Sequence, residues 1–172
     1  SNGLTLARRV LLGDSIEEQK SRVNDYEEFL GQTIGEALLE PTRIYVKPVM
    51  EMLDSGIDLK AMVHITSGGF CNLNRVECDN IRFVIDTLQP VPEIFNLIQD
   101  RGGVSEAEMF EVFNMGTGFC LVVEGINEVE AVTEICKNHD LSCQVIGKVE
   151  ICQGKEVTLP QKQLTGKGSR FT

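Results

Sequence analysis

Tryptophan is absent from this 172-residue chain, and histidine occurs only at His64 and His139. The six cysteines form no Cys-x-x-Cys pair, so with two histidines a zinc site has few ligands to draw on. Positive charge is scarce: 16 basic side chains face 26 acidic ones, a net charge of -10. That balance excludes non-specific attachment to nucleic acid or to an anionic membrane. No apolar run reaches the roughly 18 residues of a membrane span, and the start does not read as a secretory signal. No Ser-His-Asp or Cys-His arrangement suggests a covalent nucleophile, and there is neither an internal repeat nor a low-complexity block. Cysteines inside apolar patterns, such as Cys120 in Phe-Cys-Leu-Val-Val, read as small buried thiols of a reducing compartment, hence a cytoplasmic protein. The chain opens Ser1-Asn2-Gly3 without methionine, as a tag scar or a cut from a longer chain would leave it.

What is present suits one α+β domain, 42% hydrophobic and 24% charged. Its organising stretch is Leu59 to Arg75. Met62, Val63 and Ile65 predict a buried strand, with His64 just before a small-residue turn, Ser67-Gly68-Gly69. Asn72, Asn74 and Arg75 follow. Strand, glycine turn and then amide and guanidinium donors describe an anion pocket, or equally an ordinary turn between a strand and a short helix.

Elsewhere the spacing predicts a helix over Leu4–Leu12, capped by Ser1 or Asn2, and a charged, partly helical excursion from Asp14 to Phe29. A helical turn is expected over Thr33–Leu39, then a helix over Ile44–Asp54 with Val46, Val49, Met50 and Leu53 inward. Strands are expected at Ile81–Asp86, Phe119–Val123 and Ser142–Val149, with a short edge strand at Val157–Leu159. Helices are expected from Pro92, from a capping box at Ser105 and Glu108, and over Ile126–Asn138. A second glycine turn, Asn114-Met115-Gly116-Thr117-Gly118, leads into the Phe119 strand, and both turns could open onto one sheet edge. His139 reads as a capping or surface residue. The fold class expected is α+β, helices packed on a mixed sheet over residues 1–159, with a loosely held polar tail at 160–172.

Taken together, several segments resemble the C-terminal domain of aminoimidazole ribonucleotide synthetase, the phosphoribosylformylglycinamidine cyclo-ligase. They are Ser1-Asn2-Gly3, the run Gly35 to Lys47 containing Pro41-Thr42-Arg43-Ile44-Tyr45, and His64-Ile65-Thr66-Ser67-Gly68-Gly69. Asn72-Leu73 with Arg75, Pro90-Val91-Pro92, Gly102-Gly103-Val104 and Phe113 to Gly118 follow in the same order. The chain departs from the pattern at Ser67 (usually glycine), Asn74 (often proline) and Gln89 (usually tryptophan).

The resemblance implies ATP-dependent ring closure. ATP phosphorylates the formyl oxygen of formylglycinamidine ribonucleotide, an amidine-derived nitrogen attacks that carbon, and phosphate leaves as the imidazole closes. It implies ATP and Mg2+ bound mainly by an N-terminal domain absent from this chain, with none retained here, and a homodimer in the intact enzyme. Partners are then the small-molecule nucleotide substrate and that missing domain, not nucleic acid or membrane. His64 becomes the candidate catalytic residue, polarising substrate or moving a proton. Asn2, Gly3, Thr42, Arg43, Tyr45, Ser67, Gly68, Gly69, Asn72, Arg75, Asn114, Gly116, Thr117 and Gly118 become candidate substrate contacts. Alternatives are a sister enzyme (formylglycinamidine synthetase, selenophosphate synthetase, thiamine-monophosphate kinase or the hydrogenase maturation factor), a stand-alone binding module, and self-association through surfaces the missing domain would cover.

Overall fold

A computed structural model describes residues 2–172. Helix α1 (Leu4–Leu12) buries Ala7, Leu11 and Leu12, and Gly13 ends it. Its N-cap is Gly3 with no side-chain cap. Asn2 instead donates to Val112 O, and the expected cap at Ser1 lies outside the described residues. The charged excursion holds α2 (Ile16–Arg22) and a short hairpin of β1 (Tyr26–Glu27) and β2 (Gln32–Thr33) leading into α3 (Ile34–Leu39). Full capping boxes start both helices: Ser15 with Glu18, and Thr33 with Glu36. Each satisfies orphan N–H groups at the helix start. At Ser105 only half of the expected box forms, the Ser105 hydroxyl accepting from Glu108 N.

Helix α4 (Val46–Asp54) buries Pro48 and Met52. This corrects the expected face, for Val46, Met50 and Leu53 are exposed. Strand β3 (Ala61–His64) passes through the first glycine turn into a 3-10 helix over Gly69–Arg75. Then come β4 (Ile81–Ile85), α5 (Glu93–Gly102), α6 (Glu106–Val112), β5 (Phe119–Val122), α7 (Ile126–Asn138), β6 (Gly147–Ile151) and β7 (Lys155–Leu159).

Residues 160–172 are not loose. A 3-10 turn at Pro160–Lys162 leads to β8 (Leu164–Lys167) and β9 (Arg170–Phe171), and Phe171 is buried. The final five-stranded mixed sheet runs β6-β4-β7-β8-β9, parallel only between β4 and β7. Strand β7 is therefore central rather than an edge, with Val157 and Leu159 fully buried. β6 begins five residues later than expected, where Gly147 lets the chain close on β4: a Cβ there would stand 1.8 Å from Val84 O.

Alternation sends Phe83, Ile85, Val157 and Leu159 into the main core and leaves Arg82 and Glu156 paired on the other face at 2.6 Å. The core joins this inner face to α1, α5, α6 and the 3-10 helix, with the Phe70 and Phe110 rings 5.8 Å apart and tilted by 50°. Burying each such ring contributes roughly 2–3 kcal/mol. Strands β3 and β5 form a separate antiparallel ribbon. Val63 and Cys120 face the main core, while Leu121 joins a smaller one with Met52 of α4 and Val132, Ile135 and Cys136 of α7. The ribbon is thus held on both faces, a rigid base for the turns at its end.

Candidate functional site

Antiparallel pairing of β3 with β5 sets His64 opposite Phe119. The strand entering the first turn thereby meets the strand leaving the second, and both glycine turns emerge at one end of the ribbon. Ile65 N donates to Gly118 O at 2.9 Å, extending the pairing into the turns. The sequence expectation of a shared edge holds in this geometry.

Tyr45, the N-cap of α4, closes the group: its ring lies 5.1 Å from Phe119 and 6.1 Å from His64. Its hydroxyl rests on Gly118, where a Cβ would stand 2.0 Å away, so a larger residue there would push the Tyr45 ring aside. Burial pushes the Tyr45 phenol above its ordinary 10.0, with Arg43 opposing, so it remains a proton donor at neutral pH. The His64 ring is exposed. Thr117 is buried, and its Oγ1 has no hydrogen-bond partner among the described residues. Such a group costs about 1–3 kcal/mol unless something pairs with it.

Many expected donors are already engaged. Gly69 N donates to Thr66 O (2.8 Å), Gly116 N to Asn114 Oδ1 (3.0 Å) and Thr117 N to Asn114 O (2.9 Å). Asn72 is buried and donates to His64 O (3.3 Å) and Thr66 O (3.2 Å), so it shapes the turn. Arg75 is exposed and donates to Ser67 O at 3.3 Å, with further N–H groups left to solvent. Gly69 has φ +52°, and a Cβ would stand 1.8 Å from Phe110 O: glycine there serves close approach to α6. Asn2 and Gly3 pack on Val112 and Phe113, just before the second turn. Thr42 and Arg43 are exposed in coil ahead of α4 rather than opening it, and α4 has no side-chain cap. His139 caps α7 and meets Glu51 of α4 at 2.7 Å, away from this group.

Phe119 escaped the sequence reading, although its place one residue after Gly118 and in the strand paired with His64 was the available signal. Buried thiols supply no nucleophile: burial holds Cys71 near 11 and Cys120 and Cys136 near 12, with Glu111 and Cys143 adding to the first and last. Cys78, by contrast, is exposed. Among the described residues no three His, Cys, Asp or Glu side chains converge, so the donor set does not fit a divalent cation. No described helix is long and apolar enough to cross a membrane. A shallow hollow of about 420 Å³ is lined by Gly3, Leu6, Arg9 and Val112 and does not include His64. His64 lies exposed at the end of the ribbon.

Helices on a mixed sheet, with two glycine turns at the end of a strand pair, define an α+β domain with one exposed candidate site. Residues 1–160 match the family described as AIR synthase related protein, C-terminal domain, and the chain belongs to that family. Curated relatives share the name phosphoribosylformylglycinamidine cyclo-ligase. That of Methanococcus maripaludis strain C7 is 44% identical over 150 residues, covering 87% of this chain and 41% of its own. That of Methanocaldococcus jannaschii is 44% identical over 151 residues, covering 87% and 41%. That of Bacillus licheniformis is 42% identical over 156 residues, covering 90% and 43%. The chain thus spans about two fifths of the length of these relatives.

Proposed function

We propose that this chain is the C-terminal half of an ATP-dependent cyclo-ligase that closes formylglycinamidine ribonucleotide to 5-aminoimidazole ribonucleotide in purine synthesis. The observation that carries the reading is the β3–β5 pairing, which gathers His64, Tyr45 and both glycine turns on one open wall. Ring closure needs positioning and proton handling more than a covalent nucleophile. In this reading His64 moves a proton at the amidine nitrogen, and the Tyr45 hydroxyl holds a polar atom of the substrate. Arg75 and Ser67 face its phosphate. Arg43 and Thr42 stand at the rim.

ATP supplies the phosphoryl group that makes the formyl oxygen a leaving group. The carboxylate-poor wall supports its being held, with Mg2+, by the part of the relatives' length that this chain does not span. The exposed stripe Val46, Met50 and Leu53, which starts beside Tyr45, supports packing of that part here, and a homodimer belongs to the intact enzyme. We place the protein in the cytoplasm on the same reading.

The test is a turnover assay of the isolated chain with ATP, Mg2+ and formylglycinamidine ribonucleotide. The expected result is no cyclisation alone and cyclisation when the remainder of a relative's chain is supplied in trans. Turnover by the isolated chain, or none in the presence of a correctly folded remainder, contradicts the half-site reading.

A further inference from the structure

The β8–β9 hairpin lies beyond the family match, which ends at residue 160. It is nevertheless fixed at two places. On the 3-10 helix, Asn74 Nδ2 donates to Gly166 O (3.2 Å) and Gly168 O (3.1 Å). Gly166 also lies so close to Cys71 that a Cβ would stand 3.1 Å from its Sγ. On α6, Glu111 Oε1 accepts from Phe171 N (2.6 Å), while Lys162 pairs with Glu106 just ahead of the hairpin. The 3-10 helix runs seven residues, long for a type with poor internal hydrogen-bond geometry, so it depends on its packing partners: Phe70 and Leu73 in the core and these ties at its C-terminal end.

The same seven-residue segment holds the first glycine turn from its other side. Asn72 donates to His64 O and Thr66 O, and Arg75 to Ser67 O. Asn74 therefore stands between the residues that shape the turn and the carbonyls of the hairpin.

We propose that the β8–β9 hairpin is a brace for the first glycine turn and that Asn74 is the positioning residue that couples them. Asn74 acts through Asn72 and Arg75 without itself touching a ligand. The bearing on substrate rests on the half-site reading above; the mechanical coupling does not.

Amide hydrogen exchange of the whole chain tests it, using Asn74→Asp, which keeps the shape but removes the donor, and Phe171→Ala, which loosens the hairpin from α6. The expected result in both is roughly tenfold faster exchange at Gly68 to Asn72 as well as in the hairpin and its direct neighbour β7, with β4 and β6 unchanged. Acceleration confined to the hairpin and the β7 strand it pairs with, or spread evenly through β4 and β6, overturns the proposal. If Asn74→Asp does not fold, Phe171→Ala carries the same test. A parallel titration with 5-aminoimidazole ribonucleotide reports on the half-site reading alone: loss of binding leaves the exchange result, and so the brace, standing.

Discussion

His64 and Phe119 stand directly opposite each other in the β3–β5 ladder, their rings 6.1 Å apart and 31° from parallel. This cross-strand pair fixes where the two glycine turns meet. Tyr45 packs on both rings, so the position of an exposed histidine is set by neighbours that are themselves held from below. Tyr45→Ala is expected to leave the fold intact yet free the His64 ring, seen as averaging of its NMR resonances. Tyr45→Phe, which keeps the ring, should leave them nearly unchanged.

Gly69→Ala should destabilise strongly. Its φ of +52° disfavours any side chain, and the new methyl would meet Phe110 O at 1.8 Å. The two effects together cost on the order of 2–4 kcal/mol, readable as a fall in the urea midpoint. A change below about 0.5 kcal/mol would mean that the turn and α6 do not approach as described.

Thr117→Val separates structural from ligand roles. The Oγ1 has no partner, so its isosteric replacement is expected to be neutral or stabilising by up to about 1 kcal/mol. If the hydroxyl holds substrate, the same change weakens ribonucleotide binding. A clear loss of stability would show that the hydroxyl is already satisfied within the fold.

Part of the acid sensitivity should trace to Glu156. Its carboxyl accepts from Arg82 and faces Lys167, which holds its pKa below the ordinary 4.5. A depressed folded-state pKa gives stability that is present above 4.5 and is lost as pH falls through the folded value. Denaturant midpoints between pH 6 and pH 3 should therefore drop less in Glu156→Gln than in the parent. Equal slopes would remove Glu156 from the account.

The lengths and types of most elements could be read in the sequence, because α1, α5 and α7 each carry a regular apolar period and the strands are rich in β-branched residues. The inward face of α4 could not. Val46, Pro48, Val49, Met50, Met52 and Leu53 put apolar groups on both sides, and only packing against α7 selects Met52. The centrality of β7 was hidden as well, since its parallel partner β4 lies over 70 residues away, beyond any local pattern. The tail read as loose because its anchors, Asn74 and Glu111, belong to distant elements. At the site, residue types and their meeting at one sheet edge were legible. Which donors remain available was not, because Gly69, Gly116 and Thr117 direct their N–H groups into the turns themselves.

The most direct test of the half-site account is a calorimetric titration of this chain with 5-aminoimidazole ribonucleotide, repeated with His64→Ala. The account predicts saturable binding that weakens at least roughly tenfold in the variant, a loss of about 1.4 kcal/mol. Binding of equal strength in both proteins would contradict it by placing the ligand away from His64.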